Sequence, residues 1–450
     1  MDRPLSYLRA RFAAIVDRVR SSLFIIPMCF VLGGAILAEV LLAVDRFARD
    51  RSFELPFTGS TVDNARAVLT TIAGATIGFA GVAFSISLLV VQMASSQYSP
   101  RVVTGLLRDP FSKRVMGTVV GTFTYCLMLL RAVRSDGNGG EAMTAEFATT
   151  VAVVLGLISI LATIAFINHS AHAMDVSELL QNVTDDAVSI VHAEWPDPDD
   201  RTAGAAAAAT APDAVPDDAH TVHFERSGWV QRIDYQHLLE AIPAGTTVQL
   251  EITTGRYAVL GSPAGAHWPA PEDDEVHDAI DRALREAVQL GKARTGRQDV
   301  GYGIRQLVDV ALRALSTGVN DPTTAQDAVF HLCTILHELL ERRPPATVLE
   351  GADGRRVVRG HAYDHRELVG LAFDQLRRAA ATEPTVCLYL LEAIHLLCES
   401  LESSTSDGRQ ALLDQAELVV AGCERADNLP ADIEAIRTAY DRRFGRSPTP

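Results

Sequence analysis

The chain contains 450 residues with a formal net charge of -16, and 48% of its residues are hydrophobic, as in an ordinary globular protein. This length predicts more than one domain, and the acidic balance argues against a nucleic-acid-binding protein, which would present a basic surface. The six cysteines form no Cys-x-x-Cys pair. Their spacing predicts free, reduced thiols in a cytoplasmic setting rather than disulfides or structural zinc.

The N-terminal part of the sequence carries four apolar stretches. At about 1.5 Å of helix per residue, each is long enough to form a helix that crosses a bilayer core of roughly 30 Å. Arginines precede the first stretch, as in a secretory signal peptide, but its length and the lack of a convincing cleavage site favour a membrane span. The predicted spans are about 23–44, 67–93, 115–131 and 147–168.

The second stretch contains no charged residue and carries a line of small and polar side chains along one side of the predicted helix. Such a line either allows another helix to approach closely or lines a polar path, and both interpretations remain open. Gly117 and Gly121 give a second close-packing signal in the third stretch. The small-residue line consists of Gly74, Gly78, Gly81, Ser85 and Gln92, with Phe79, Ile86 and Val90 on the opposite side.

Four spans place both chain ends on the same side of the membrane. Basic residues are concentrated in the N-terminal segment and in the loop at 94–114, which predicts that these parts and the C-terminus are cytoplasmic in an inner (plasma) membrane. No ionisable residue lies in the middle of a span, which argues against an ion-coupled transporter. Four helices leave little room for a path through one chain, so a pore would require a homo-oligomer in the lipid bilayer.

The sequence after the spans predicts a cytoplasmic region, so the fold class is mainly α with a small β module. The fourth span continues as an uninterrupted helix, which completes a transmembrane domain at 1–195. His169, His172 and Asp175 lie near the end of that span and could bind a metal or a proton, although solvated side chains are the simpler interpretation. A Pro/Asp/Ala linker at 196–220, a β module at 221–268 and a helical domain at 272–443 complete the prediction.

Turn residues place the strands and several helix ends. Thr254-Gly255 predicts a hairpin within 247–260, and Asp353-Gly354 predicts a short hairpin inserted between two helices. Asp364 is placed to cap the helix that follows it. The helices of the C-terminal domain are predicted at about 273–292, 300–316, 322–342, 365–381, 384–403, 408–426 and 431–443.

Three motifs carry a resemblance to a known family: GYGIRQLVDVALRALSTGVNDPTTA, FAGVAFSISLLVVQMASSQYSPR and SGWVQRID. The chain resembles a family of bacterial predicted membrane proteins known as domain of unknown function 2254. Thr317 stands where that family usually has a proline. The resemblance covers most of the chain and implies a multi-span membrane protein with a soluble C-terminal region. It implies no established activity.

The first of these motifs predicts two helices joined by a tight corner. Arg305 and Asp309 are one helical turn apart and can pair, and Gly318 can end the helix in a left-handed conformation. Asp321 can cap the next helix. The corner is either purely structural or a site for a ligand or partner. The candidate residues are Arg305, Asp309, Arg313, Asn320, Asp321, Thr323 and Thr324.

No motif in the sequence indicates catalysis. A phosphate-binding glycine loop and a Gly-x-Ser-x-Gly elbow are both missing, and His337-Glu338 lacks the second histidine of a zinc-protease helix. We therefore predict no enzyme, no catalytic residue, no metal site and no cofactor.

The first functional hypothesis is a homo-oligomeric channel lined by the second span. The alternative is a membrane-anchored sensor or scaffold whose helical domain binds a partner or small ligand.

Overall fold

A computed structural model defines the fold, which is mainly helical as predicted. The chain divides between Glu178 and Leu179 into two compact units. The N-terminal arginines at 1–24, most of the loop at 94–114 and most of the linker at 196–220 lie outside the described residues. The structure describes residues 25–50, 61–97, 109–133, 145–172, 175–197, 214–271, 273–361, 363–401 and 406–445.

The first unit contains four helices that are long and apolar enough to cross a membrane. Each contains the corresponding predicted span, apart from residues 23 and 24, which the structure does not describe. The helices extend beyond the predicted spans at most ends because polar residues complete their first and last turns. They are α1 (Ile25–Asp50), α2 (Val62–Gln97), α3 (Pro110–Ala132) and α4 (Glu146–His172).

Glycines allow α1 and α3 to pack at close range. A Cβ atom built on Gly34 would lie 2.5 Å from the carbonyl oxygen of Gly121, and one built on Gly121 would lie 2.9 Å from the carbonyl oxygen of Phe30. A Cβ on Gly117 would likewise lie 2.6 Å from the Phe30 ring. Only glycine fits these positions without a shift of the backbone, which confirms the close-packing prediction for α3.

Buried polar contacts join the helices of the first unit. The Asp45 carboxylate of α1 accepts hydrogen bonds from the backbone N–H groups of Phe147 (3.2 Å) and Ala148 (3.0 Å), which have no partner within α4. The Tyr125 hydroxyl of α3 donates to the Ala148 carbonyl at 2.7 Å. In the interior, the Ser159 hydroxyl donates to that of Thr122 at 3.0 Å. These bonds fix α1, α3 and α4 relative to one another.

The uninterrupted helix predicted after the fourth span is replaced by two helices. The α4 helix ends at His172, and the Asp175 side chain accepts a hydrogen bond from the Ser177 N–H (2.9 Å) where α5 (Val176–Glu194) begins. The sequence assigned this segment to the transmembrane domain, whereas from Leu179 onward it belongs to the second unit. Aspartate is favoured at a helix start because it accepts from these exposed N–H groups.

The β module of the second unit contains two sheets. The five-stranded sheet has the order β1-β5-β3-β8-β7, and the three-stranded sheet has the order β4-β2-β6. Neighbouring strands are antiparallel except β3 and β8. The strands are β1 (His220–His223), β2 (Gly228–Ile233), β3 (Thr247–Leu250), β4 (Tyr257–Ala258), β5 (Pro263–Trp268), β6 (Val288–Gly291), β7 (Val348–Glu350) and β8 (Arg356–Val358).

The strand pairing contradicts one of the two predicted hairpins and confirms the other. Gly255 has a φ of 77° and lies in a turn, but β3 and β4 belong to different sheets, so the hairpin predicted there is wrong. The second predicted hairpin is confirmed, because Val348 pairs with Val358. The helix predicted over 273–292 ends at Ala287, where the chain continues as β6 and pairs with β2.

Helices complete the second unit. In the two units together, the six cysteines are free thiols. A capping box between Asp364 and Glu367 confirms the predicted start of α10. The short α6, capped by Asp234, was not predicted. The remaining helices are α6 (Tyr235–Ala241), α7 (Asp274–Ala287), α8 (Val300–Ala314), α9 (Pro322–Glu341), α10 (His365–Ala379), α11 (Pro384–Ser400), α12 (Ser406–Arg425) and α13 (Pro430–Phe444).

Candidate functional site

The small-residue line of α2 faces away from the other helices of the chain. A Cβ atom built on Gly74, Gly78 or Gly81 would meet no other atom within 4 Å. Ser85 and Gln92 are also exposed. The line therefore has no role in packing α2 against the described helices of its own chain.

The opposite side of α2 makes those packing contacts. Ala80 and Ala83 are buried in a cluster with Val115 of α3 and Phe166 of α4. Phe79, which the sequence placed opposite the small-residue line, packs against the same cluster. At about 100° of rotation per residue, the buried side and the small-residue line lie on opposite sides of the helix.

The corner between α8 and α9 is a surface feature. The Asp321 carboxylate accepts hydrogen bonds from the Thr324 N–H at 3.1 Å and the Thr324 hydroxyl at 2.6 Å, so the predicted cap is present. The left-handed conformation falls on Asn320 (φ 50°) rather than on Gly318. Asparagine tolerates this conformation better than other residues with side chains.

None of the candidate residues around this corner is fully buried among the residues that the structure describes. Arg313, Asn320 and Thr323 are exposed, and Arg305 and Asp309 are half-buried on α8. Several backbone bonds close the turn, including that from the Asp321 N–H to the Ala314 carbonyl at 2.8 Å. The geometry of this corner is well explained by its structural role.

A cavity of about 60 Å³ lies at the other end of α8. Asp299, two residues before the motif that begins at Gly301, is buried there, and its Oδ2 accepts a hydrogen bond from Arg294 Nε at 2.6 Å. The Arg359 guanidinium lies 4.3 Å above the Tyr235 ring. Other lining residues are Glu194, Trp195, Thr253, Thr254, Gln298 and Tyr363.

Two polar atoms at this cavity have no well-formed hydrogen bond. They are Asp299 Oδ1, near the N–H groups of Gly301 and Tyr302, and Arg359 Nε. Burial raises the pKa of Asp299 above its usual value, although Arg294 opposes this shift. Burial also raises the pKa of Glu194. The cavity is large enough only for water, an ion or a few-atom group, and its buried charges favour a polar occupant.

The histidines singled out in the sequence as a candidate metal site have other contacts. His169 Nε2 lies 2.9 Å from Asp109 Oδ2, at the start of α3, and His172 Nδ1 lies 2.8 Å from the Asn168 carbonyl. Hydrogen bonds from Ser112 and Phe111 lower the pKa of Asp109, against the opposing effect of burial. The contact between His169 and Asp109 joins α3 and α4, whereas the His172 contact lies within α4.

A different histidine cluster has metal-ligand geometry. His220 of β1, His267 of β5 and His277 of α7 place their ligand atoms within 4.8 Å of one another. Asp281 Oδ1 lies 3.6 Å from His220 Nε2 and 3.5 Å from His267 Nε2. Sequence reasoning missed this cluster because its members come from three separate elements. The only local signal is the spacing of His277 and Asp281, four residues apart on one helix.

Comparisons with known proteins agree with the four-helix membrane unit. A family model described as "Predicted membrane protein (DUF2254)" matches residues 20–395. An uncharacterized protein of Mycobacterium bovis and one of Mycobacterium tuberculosis are each 30% identical to this chain over 421 residues. These alignments cover 92% of this chain and 78% of each relative. No solved structure shows a significant match. The chain therefore belongs to the DUF2254 family of predicted membrane proteins.

Proposed function

We propose that the protein forms a homo-oligomeric channel for ions or small solutes in the inner membrane. In this proposal α2 of each copy joins the subunits and lines the path, and the C-terminal unit regulates it from the cytoplasm. No chemical reaction and no nucleic acid are involved. The observation that carries the proposal is the outward position of the small-residue line Gly74, Gly78, Gly81, Ser85 and Gln92.

The shape of this surface favours contact with another helix over contact with lipid. The glycines form a shallow groove in which the α2 backbone is open to a close neighbour. Exposed large side chains border the groove on both sides. Helices in membranes associate mainly through close packing, and small residues allow the backbones to approach. The bordering residues are Ile77, Phe84 and Leu88 on one side and Val82 and Leu89 on the other.

Polar groups on the same line favour a hydrated path. The exposed Ser85 hydroxyl bonds to the Gly81 carbonyl at 3.0 Å, and it keeps capacity to accept a hydrogen bond from water. The Gln92 amide is also exposed, in the last turn of the span, where it can exchange hydrogen bonds with water. A path shared by several subunits would hydrate both side chains.

The distribution of basic residues supports the proposed orientation. Arginines dominate the N-terminal segment, and Arg101, Arg108, Lys113 and Arg114 lie in or beside the loop between α2 and α3. Positive residues near membrane spans favour the cytoplasmic side. With four spans, both chain ends would lie on that side.

Current recordings from purified protein in liposomes test the channel directly. We expect unitary currents from the unmodified chain and at least a tenfold smaller conductance from Ser85→Phe, because the ring would occupy the path. Leu161→Phe is the matched control, since Leu161 is 67% exposed on α4 and lies outside the line. Silent bilayers containing correctly inserted, unmodified protein would contradict the proposal, as would equal effects of the two substitutions.

The second candidate is a membrane-anchored sensor that binds a small polar ligand. It is favoured by the cavity at Asp299 and Arg359, where two charged side chains each keep a buried polar atom without a well-formed hydrogen bond. Unmatched buried groups of this kind are rare in proteins unless a ligand or water satisfies them. Silent bilayers together with an intact oligomer would favour this function over the channel.

A further inference from the structure

The fold brings three histidines and one aspartate together at the edge of the five-stranded sheet. His220 and His267 are direct cross-strand partners of the antiparallel pair β1 and β5, so their side chains share one face of the sheet. The α7 helix presents His277 and Asp281, four residues apart, to the same place. These are the four residues we name the histidine cluster.

The histidine ligand atoms lie within 4.8 Å of one another, and the Asp281 contacts are close to the spacing of a tetrahedral metal site. The His220 ring centroid lies 5.1 Å from that of His267 and 4.7 Å from that of His277. Bonds of about 2.0–2.1 Å to zinc place neighbouring ligand atoms about 3.3–3.5 Å apart. Asp281 Oδ1 lies 3.5 Å from His267 Nε2 and 3.6 Å from His220 Nε2. Only small side-chain movements would bring all four ligands to one ion.

Burial makes the histidine cluster unlike a solvated group of surface histidines. The His267 side chain is fully buried, and neither of its ring nitrogens makes a well-formed hydrogen bond, although Nε2 lies 3.5 Å from Asp281 Oδ1. His277 Nδ1 and Asp281 Oδ1 are likewise buried without a hydrogen-bond partner. Buried polar atoms nearly always have partners, so four unmatched atoms in one cluster point to a bridging species. A metal ion would accept one nitrogen of each histidine and the Asp281 Oδ1 atom as ligands at once.

A neighbouring arginine orients the carboxylate, and burial disfavours the charged form of the His267 imidazole. Arg285 donates to Asp281 Oδ2 at 3.1 Å, which leaves Oδ1 directed towards the histidines. Such a second contact commonly fixes the orientation of a metal ligand. Burial, followed by the nearby His220, lowers the pKa of His267, against the opposing effect of Asp281. Neutral imidazole is the form that binds a metal ion.

A purely ionic cluster explains these contacts less well. One carboxylate can balance one imidazolium, whereas two or three charged histidines at ring distances near 5 Å would repel each other. Three imidazole nitrogens and one carboxylate oxygen without a thiolate suit zinc in tetrahedral coordination. We propose that His220, His267, His277 and Asp281 bind one zinc ion.

The zinc ion would connect the edge strand β1 to β5 and α7. His220 is 44% exposed, so the ion can enter and leave from solvent at this ligand. Since β1 is at the edge of the sheet, metal binding would stabilise the point where the β module begins. This inference is independent of the proposed channel and concerns only the C-terminal unit.

Zinc binding is tested on the full-length, tag-free protein in detergent. The protein is stripped with EDTA, dialysed and titrated with Zn²⁺, and bound metal is measured by elemental analysis. We expect one zinc per chain in the unmodified protein. We expect His220→Ala to weaken zinc binding by more than about tenfold, since changes even outside the ligand shell reduce metal affinity by 10–100-fold.

Two further variants keep the test decisive. His223→Ala changes an exposed histidine on the same strand but outside the cluster, and it should bind zinc like the unmodified chain. Asp281→Asn preserves the side-chain volume and should also weaken zinc binding. If both ligand variants bind zinc weakly, misfolding of one of them cannot explain the result. Cobalt(II) should give the visible absorption of a tetrahedral site. The absence of stoichiometric zinc in the unmodified protein, or full binding by both ligand variants, would overturn the proposal.

Discussion

At the scale of single residues, Gly303 shows why the signature motif has a glycine inside a helix. A Cβ atom built at this position would lie 2.5 Å from the Ala187 Cβ of α5. Glycine in a helix interior destabilises the helix by roughly 0.5–1 kcal/mol relative to alanine. A glycine is nevertheless needed here, because a larger residue would not fit between α5 and α8. Gly318, in the corner that follows, meets no atom within 4 Å and has no positive φ.

Gly303→Ala should therefore destabilise the C-terminal unit, and Gly318→Ala should not. We expect a loss of about 1–3 kcal/mol from the overpacked Gly303→Ala contact. Gly318→Ala should change stability by less than about 1 kcal/mol. Urea unfolding followed by tryptophan fluorescence measures both, because Trp195, Trp229 and Trp268 all lie in this unit. Equal urea midpoints for the two variants would show that α5 and α8 are not in close contact at Gly303.

The contacts within the histidine cluster could not be predicted from the sequence. Histidines that are close in sequence, such as His169 and His172, could be singled out, but they bond to Asp109 and to the Asn168 carbonyl instead. His220 and His267 meet only because β1 pairs with β5, which no local pattern specifies. Asp321 was predicted correctly because a helix cap depends on residues within one turn.

At the scale of elements, the helices could be predicted and the strand partners could not. Apolar stretches and turn residues located the four membrane helices and the C-terminal helices. The strand β6 follows α7 directly, and its pairing with β2 is set by contacts distant in sequence. For the same reason β3 and β4 looked like one hairpin but belong to separate sheets. Strand preference depends strongly on such surroundings.

The glycines of α2 and α3 should respond differently to the same substitution. Gly121→Leu would force apart α1 and α3, because a Cβ at this position would already lie 2.9 Å from the Phe30 carbonyl. The side chain introduced by Gly78→Leu would not collide with the described part of its own chain, because a Cβ at this position has no neighbour within 4 Å. We expect faster thiol labelling of the buried Cys126 in Gly121→Leu, measured by peptide mass spectrometry, and an unchanged rate in Gly78→Leu. Identical rates would contradict the assigned packing of α3.

At the scale of the whole molecule, two units carry separate features of one membrane protein. The helical unit presents an outward line of small residues, and the C-terminal unit contains the Asp299 cavity and the histidine cluster. The association of copies through α2 is the step on which the proposed function depends, since one chain with four spans offers little room for a path.

The assembled mass of the protein in mild detergent, measured by native mass spectrometry, tests this association most directly. We predict a defined oligomer for the unmodified chain and for Leu161→Phe. We predict that Gly78→Leu, whose side chain would fill the α2 groove, raises the dissociation constant at least tenfold, or about 1.4 kcal/mol. A monomeric unmodified chain, or an oligomer that Gly78→Leu leaves intact, would contradict the account.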